Sequence, residues 1–130
     1  MKKKILIVVT KYYPDISTNL LNSAQNELKN FAKTTVVIVP GAFEIPVTIS
    51  KNIKKFDGFV ALGCVIRGET PHFDFISSAT TQAIMNLSVG SKKPIGNGIV
   101  TCLNMKQAKA RVKKGKEAAQ AVISILKQKK

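Results

Sequence analysis

The chain has 130 residues, which suits one domain with a core of its own, and we expect residues 1–130 to form that single domain. Its 45% hydrophobic content argues against a disordered chain, and its apolar runs are far too short to cross a membrane. The net charge of +14 raises nucleic-acid binding as an alternative, but the lysines are dispersed and no nucleic-acid-binding motif is present, so we favour solvated basic surfaces and a site for an anionic substrate.

The beginning of the chain and its two cysteines bear on location. The first residues combine charge with a short apolar run but lack a small-residue cleavage site, so we expect a cytoplasmic protein rather than a secreted or membrane one. Cys64 and Cys102 end apolar runs and have no Cys or His neighbour at metal-ligand spacing. We predict reduced core thiols, with a disulfide or a nucleophile as the alternatives.

Four apolar runs alternate with helical patterns along the chain. The runs are continuous and rich in β-branched residues, which is typical of strands covered on both faces of a parallel sheet. We predict strands at residues 4–10, 35–39, 58–66 and 94–101. With right-handed crossovers, the order β-α-β-α-β-α-β-α predicts a three-layer α/β/α sandwich around a four-stranded parallel sheet, a flavodoxin-like arrangement.

The helical patterns follow the strands in turn. The first runs from Ile16 to Phe31 at three- and four-residue spacing, and Asp15 or Ser17 can cap its start. A weaker pattern covers residues 44–56, and a third begins at Phe73.

The last helical pattern is the clearest. Asn104 and Gln107 make a predicted capping box, and apolar residues then recur three and four apart from Met105 to Leu126. Because the spacing is unbroken, we predict one long helix. Arg111 and Lys114 lie on one face of it, where the alternative is a solvated basic surface.

Four loops should meet where ligands bind in open α/β sheets, at the carboxyl ends of the strands. The first carries Tyr12, either a core residue or a stacking platform, and the second carries Glu44 at a helix start. Glu44 is either a partner of the helix dipole or an acceptor for the hydroxyls of a polyol. Apolar residues beyond the needs of a small core, near Phe43, Val65 and Ile99, favour self-association.

The third loop, RGETPHF, precedes the third helix and holds the only histidine, His72. Gly68 and Thr70 suit a phosphate at the amino end of that helix. His72 is of the type that transfers protons at neutral pH, although a lone histidine at a helix start is more often a surface or capping residue. The absence of Walker A and GxGxxG patterns argues against nucleoside triphosphates and dinucleotides.

Taken together, these loops resemble the lumazine synthase family. The main matches are residues 39–46 (VPGAFEIP) and 61–73 (ALGCVIRGETPHF), with weaker matches at residues 94–101 (PIGNGIVT) and 114–119 (KGKEAA). They occur in family order across essentially the whole chain. The resemblance implies condensation of 5-amino-6-(D-ribitylamino)uracil with 3,4-dihydroxy-2-butanone 4-phosphate to 6,7-dimethyl-8-ribityllumazine, without a metal or organic cofactor.

The resemblance also implies roles for particular residues. Tyr12 would stack on the pyrimidine ring, Glu44 would accept hydrogen bonds from the ribityl hydroxyls, and His72 would be the catalytic histidine. The other positions for the pyrimidine substrate are Ala42 and Phe43, together with the backbone groups of Val65 and Ile66. The phosphate positions are Gly68, Glu69, Thr70, Arg111 and Lys114, with the Glu69 carboxylate turned away from the phosphate.

Three departures from the family pattern affect these expectations. The first loop reads KYYP where Arg-Phe-Asn is usual. Asn97, which we include among the substrate-binding residues, stands where many members place a Phe that covers the ring from the next subunit. The segment between Arg111 and Lys114 is shorter than usual, and in one long helix we expect Arg111 to be the safer anion ligand, with Lys114 free to point elsewhere.

The resemblance implies a homo-oligomer as well, a pentamer or an assembly of pentamers with sites at subunit boundaries. It suggests riboflavin synthase as a protein partner, and neither a nucleic acid nor a membrane. Two alternative functions remain at this point: a non-catalytic lumazine- or flavin-binding scaffold, and an archaeal-type riboflavin synthase, which joins two lumazines.

Overall fold

Strands and helices alternate along the computed structural model, which describes residues 2–67 and 73–128. The elements are β1 (Lys3–Thr10), α1 (Pro14–Leu28), β2 (Ala32–Val39), α2 (Glu44–Lys51), β3 (Gly58–Ile66), α3 (Phe73–Ser91), β4 (Ile95–Cys102), α4 (Met105–Ala110) and α5 (Lys114–Leu126). Within the described residues, none of the helices has the length and apolar character that a membrane crossing requires.

The strands form a four-stranded sheet in the order β2-β1-β3-β4, and every pairing in it is parallel. The two central strands are the most apolar, and β3 is buried along its whole length. The strand at one edge, β4, alternates between buried and more exposed residues because successive side chains point to opposite faces, and the face that α5 covers is the better buried. The predicted parallel sheet is therefore confirmed.

Helices cover both faces of the sheet, which confirms the predicted three-layer architecture. On one face α1, α4 and α5 pack against a cluster that includes Ile7, Leu20 and Val122. On the other face α2 and α3 pack against a cluster that includes Val8 and Ile49. Burying an aliphatic side chain of this size contributes about 1.5–3 kcal/mol each, so these two clusters are the main source of stability.

The last helical region contradicts the predicted single helix. It consists of α4 and α5, and the backbone leaves the helical conformation at Arg111 (φ −110°, ψ 17°). The hydroxyl of Ser23 in α1 donates to the carbonyl of Val112 at 3.1 Å, and Gly115 approaches the carbonyl of Leu20 so closely that a Cβ there would lie 2.2 Å from that oxygen. Thus α5 packs on α1 separately from α4. The three-residue turn between α4 and α5 leaves the spacing of apolar residues unchanged, which is why the spacing predicted one continuous helix.

The predicted capping box at the start of α4 is present in a shifted form. Asn104 Oδ1 accepts from the Gln107 N–H at 2.9 Å, while Gln107 Oε1 accepts from the N–H of Leu103 at 2.8 Å, one residue before the expected donor. This cap fixes where the chain turns from β4 into α4.

Two smaller expectations about helix ends were wrong. No side chain caps α1: its N-cap is Tyr13, and the Ser17 hydroxyl instead donates to the carbonyl of Tyr12 at 2.8 Å. The second helix ends at Lys51 rather than near residue 56. There the ammonium of Lys93 donates to the carbonyls of Ile53 and Phe56 at 2.6 and 2.9 Å, which satisfies these groups outside a helix.

Candidate active site

An open cavity of about 390 Å³ lies at the carboxyl ends of β1, β2 and β3, where the topology predicts a ligand site. Its walls come from the loops after β1 and β2, the end of β3 and the first turn of α3. We call it the aromatic cavity. It is lined by Tyr12, Tyr13, Gly41, Ala42, Phe43, Glu44, Cys64, Val65, Ile66 and Ile76.

The backbone before α1 presents the Tyr12 ring to this cavity. Tyr13 has a left-handed conformation (φ 51°, ψ 69°) immediately before Pro14, and the Ser17 backbone N–H donates to its carbonyl at 3.0 Å. Such a conformation costs a non-glycine residue about 1–3 kcal/mol and is found preferentially at ligand sites. The Tyr12 ring remains 62% exposed, which suits a surface on which a planar ligand stacks.

The loop between β2 and α2 places an aromatic ring and a carboxylate side by side. Phe43 is 49% exposed and meets the ring of Phe75 edge to face, with centroids 6.2 Å apart. The Glu44 N–H donates to the carbonyl of Gly41 at 3.1 Å. Gly41 lies between the two groups: a Cβ there would be in ordinary contact with Glu44 Oε1 at 3.4 Å and with the Tyr12 ring at 3.7 Å.

The floor of the aromatic cavity is the end of β3, which extends beyond its pairing with β1. That pairing ends at Leu62, whereas on the other side Val65 and Ile66 still pair with β4. On the β1 side, the last β3 residues therefore have no strand partner among the described residues. Backbone groups there are available to a ligand, while the two side chains are buried.

A second cavity, of about 640 Å³, lies beside the edge strand β4, and we call it the cationic cavity. It differs from the first in carrying three cationic side chains and no aromatic ring. It is lined by Thr81, Asn97, Ile99, Val100, Thr101, Ala110, Arg111, Lys113, Lys114 and Glu117.

The turn between α4 and α5 and the strand β4 fix the polar groups of the cationic cavity. Arg111 Nη1 donates to the carbonyl of Thr101 at 3.0 Å, which anchors the guanidinium while its other N–H groups can serve an anion. The Lys114 N–H donates to the Arg111 carbonyl at 3.0 Å. Asn97 Oδ1 accepts from the N–H of Ile99 at 3.0 Å, so the Asn97 NH₂ group remains a donor.

Comparison with known proteins identifies the family. The model of the 6,7-dimethyl-8-ribityllumazine synthase family matches residues 2–130. A 6,7-dimethyl-8-ribityllumazine synthase of Agrobacterium fabrum is 43% identical over 99% of this chain and 96% of its own length. One from Bartonella henselae is 45% identical over 99% of this chain and 90% of its own length. The chain belongs to the lumazine synthase family.

The structure divides the residues that the lumazine synthase motifs indicate between the two cavities. In the aromatic cavity it brings together Tyr12, Ala42, Phe43, Glu44, Val65 and Ile66. In the cationic cavity it brings together Asn97, Arg111 and Lys114. Lys114 thus lines the same cavity as Arg111, contrary to the orientation expected from one long helix. Four predicted residues lie outside the described part of the chain: Gly68, Glu69, Thr70 and His72.

Several lining residues were not among those that the sequence singled out. Tyr13 and Gly41 neighbour predicted residues on the same loops, so loop position was the available signal. Ile76 was predicted only as a core residue of a helix, although its position near the amino end of α3 pointed to the same edge. Lys113 and Glu117 gave no signal of their own, because the turn that brings them beside β4 was not predicted.

The two cysteines are buried, as predicted, and both are free. Burial raises the pKa of Cys64 to about 12, and the neighbouring Cys102 adds to the effect. Burial also raises the pKa of Cys102, although a hydrogen bond from Cys64 and the nearby charge of Arg111 act in the opposite direction. Both are therefore protonated at neutral pH and poor nucleophiles. In residues 2–67 and 73–128, no three His, Cys, Asp or Glu side chains cluster as metal ligands would.

Proposed function

We propose that this chain condenses 5-amino-6-(D-ribitylamino)uracil with 3,4-dihydroxy-2-butanone 4-phosphate to 6,7-dimethyl-8-ribityllumazine, with release of phosphate and water. The observation that carries the proposal is the aromatic cavity. In a chain of the lumazine synthase family, it brings six predicted residues for the pyrimidine substrate together at the carboxyl ends of three strands.

The chemistry of the aromatic cavity fits the pyrimidine substrate. Its exposed Tyr12 ring offers a face for stacking on the planar ring. The free side of the β3 backbone near Val65 and Ile66 offers hydrogen bonds to the ring edge. Glu44 accepts hydrogen bonds from the ribityl hydroxyls beside Ala42 and Phe43, and bonds to a charged acceptor are worth about 1.5–3 kcal/mol.

The phosphate substrate requires cations, which the cationic cavity supplies. Arg111, held by the carbonyl of Thr101, presents a guanidinium to the phosphate, and Lys114 adds a second charge. In the proposal, Gly68, Glu69 and Thr70 complete the cradle through backbone N–H groups and the Thr70 hydroxyl. Because the two cavities share no lining residue, we propose that the cationic cavity of one subunit serves the aromatic cavity of the next.

The proposed reaction proceeds without a covalent bond to the protein. The 5-amino group of the pyrimidine attacks the ketone to form an imine with loss of water, and phosphate is then eliminated. Attack of the ribitylamino nitrogen on the remaining carbonyl closes the ring with loss of a second water and gives the lumazine. Holding two reactants side by side can remove about 7–11 kcal/mol of the barrier in well-oriented cases. A positioned acid–base group such as His72 typically adds about 10²- to 10⁴-fold. Positioning of the two substrates therefore accounts for most of the proposed reduction of the barrier. The proposed reaction needs no metal or organic cofactor.

We propose a homo-oligomer built from pentamers, in the cytoplasm, with riboflavin synthase as the partner that consumes the product. Large apolar side chains left exposed on the single chain support the oligomer, among them Ile38, Phe75, Met85 and Val89. The two free thiols suit a reducing compartment. Native mass spectrometry tests the assembly, and a monomer at micromolar concentration would contradict it.

A mixing experiment tests the reaction. The purified protein is combined with both substrates, and the absorbance of 6,7-dimethyl-8-ribityllumazine and the release of inorganic phosphate are followed together. We expect the two to appear in equal amounts. A second sample receives the lumazine alone and is monitored for riboflavin. Riboflavin from the second sample would favour the archaeal-type riboflavin synthase instead, and tight lumazine binding without turnover in either sample would favour a scaffold.

A further inference from the structure

The two cysteines form a pair across neighbouring strands. Cys64 pairs with Val100 in the register of β3 and β4, and Ile66 pairs with Cys102, so the cysteines are diagonal neighbours. Both side chains belong to the cluster on the α1, α4 and α5 face, with exposures of 5% and 2%. The two thiols are close enough for each to influence the pKa of the other. The fold therefore places two thiols near each other in an apolar layer.

The diagonal arrangement disfavours a direct disulfide. Adjacent strands lie about 4.8 Å apart and two residues advance about 6.6 Å along a strand, which places diagonal Cα atoms about 8 Å apart. Disulfides usually need Cα atoms about 4.4–6.8 Å apart, with sulfurs about 2.04 Å from each other. A single atom bonded to both sulfurs spans a wider gap than an S–S bond, and so suits this diagonal pair better than a disulfide.

The pair is within reach of a small molecule. Cys64 is among the residues that line the aromatic cavity, so a small molecule in that cavity lies next to this residue. Behind it, Cys102 lies near the Arg111 guanidinium, which favours negative charge on the Cys102 sulfur. An incoming electrophile would therefore meet Cys64 first and find the second thiol in place.

We propose that Cys64 and Cys102 form a dithiol site for trivalent arsenicals, in which one arsenic atom bridges the two sulfurs. For an organoarsenic oxide, R–As=O, two As–S bonds form and the arsenic–oxygen bond breaks. The oxygen leaves as water with the two thiol protons, and arsenic remains trivalent, so no oxidant or reductant is required. The adduct lies behind the aromatic cavity, next to the end of β3.

Phenylarsine oxide is the probe for this site. The assembled native protein is incubated with it at neutral pH, and intact mass spectrometry then measures each chain. We expect one adduct per chain, with the mass of the probe less one water, which is removed by dithiothreitol but not by 2-mercaptoethanol at the same thiol concentration. No adduct, or an adduct that the monothiol removes equally well, would overturn the proposal.

Single-cysteine variants separate a bridged adduct from a single-thiol one. Cys64→Ala and Cys102→Ala each leave one thiol, and Cys64→Ser and Cys102→Ser serve the same purpose if an alanine variant fails to assemble. Because the second thiol binds intramolecularly, we expect every single-cysteine variant to hold the probe at least ~100-fold more weakly than the wild type. If the variants at position 64 or those at position 102 bound the probe as tightly as the wild type, arsenic would not bridge the two sulfurs and the proposal would be wrong.

Discussion

The aromatic and cationic cavities differ in the chemical groups that line them, and therefore in the ligands that they suit. The aromatic cavity is built where three strands end, around exposed rings, one carboxylate and unpaired backbone groups of β3. The cationic cavity lies against an edge strand and takes its charge from Arg111, Lys113 and Lys114 in and beside a three-residue turn. A flat, hydroxyl-rich ligand suits the first and an anion suits the second.

The two cavities differ in how firmly the backbone and hydrogen bonds hold their ligand-facing groups. The Tyr12 ring is oriented by the left-handed backbone of Tyr13 and by the Ser17 hydroxyl, which donates to the Tyr12 carbonyl. The Arg111 guanidinium, in contrast, is held by a single hydrogen bond to the Thr101 carbonyl. Stacking and hydroxyl recognition depend on fixed geometry, while attraction of a phosphate tolerates a less constrained charge.

The largest effect should come from His72→Ala. If the two cavities supply positioning and His72 supplies proton transfer, kcat should fall about 10²- to 10⁴-fold while lumazine formation stays above the uncatalysed rate. Steady-state kinetics at neutral pH measure this, with assembly checked by native mass spectrometry. Complete loss of turnover in a folded, assembled variant would show that positioning contributes far less than we propose.

Glu44→Gln should cost about 10- to 100-fold in kcat/KM for the pyrimidine substrate, because hydrogen bonds from the ribityl hydroxyls to a charged acceptor are replaced by weaker ones. The matched control is Glu117→Gln, which removes a carboxylate from the cationic cavity. We expect the control to leave the KM of the pyrimidine substrate unchanged. Equal effects of the two variants on that KM would break the assignment of one substrate to each cavity.

Gly115→Ala tests the docking of α5, which shapes the cationic cavity. Its Cβ would lie 2.2 Å from the Leu20 carbonyl oxygen and 2.5 Å from Ser23 Oγ, so α1 and α5 must separate. We expect the free energy of unfolding to fall by about 1–3 kcal/mol. In Gly90→Ala the new Cβ meets nothing within 4 Å, and helix propensity should raise stability by about 0.5–1 kcal/mol. Denaturant unfolding at fixed chain concentration measures the free energy of unfolding of both variants. Equal changes in the two variants would contradict the close approach of α5 to α1 at Gly115.

Arg111→Met should act mainly on the phosphate substrate, raising its KM about tenfold, the order expected when one charge-assisted hydrogen bond is lost. Lys109→Met is the control, since it removes an exposed charge from α4, just before Arg111, at a residue that lines neither cavity. An unchanged KM for the phosphate substrate in Arg111→Met would remove Arg111 from the site.

The sheet and the aromatic cavity were predictable from the sequence for physical reasons. Continuous β-branched runs indicate strands buried on both faces, and parallel strands place the loops that follow them at one edge, which predicted the proximity of Tyr12 and Glu44. Val65 was predicted only from the resemblance to the family. The turn at Arg111 was not predictable in this way. Apolar spacing reports which residues face inward, and a three-residue turn left that spacing intact.

What interrupts the helix is a contact with a segment far away in the sequence. The carbonyl of Val112 binds a hydroxyl from α1, 89 positions earlier, and Gly115 fits against the backbone of the same helix. Neither contact has a local signature, so spacing alone predicted a continuous helix. The conformation of Tyr13 was equally invisible, because tyrosine is not a residue that usually signals a left-handed backbone.

Two neighbouring carbonyls at the end of β4 accept hydrogen bonds from different parts of the chain. That of Thr101 holds the Arg111 guanidinium, and that of Cys102 accepts at 2.8 Å from the N–H of Arg67, the first residue of the RGETPHF loop to which we assign phosphate positions. In the proposed ring, the loop belongs to one active site and the arginine to the adjacent one. We therefore expect a displacement of this strand end to be transmitted to both of the proposed sites.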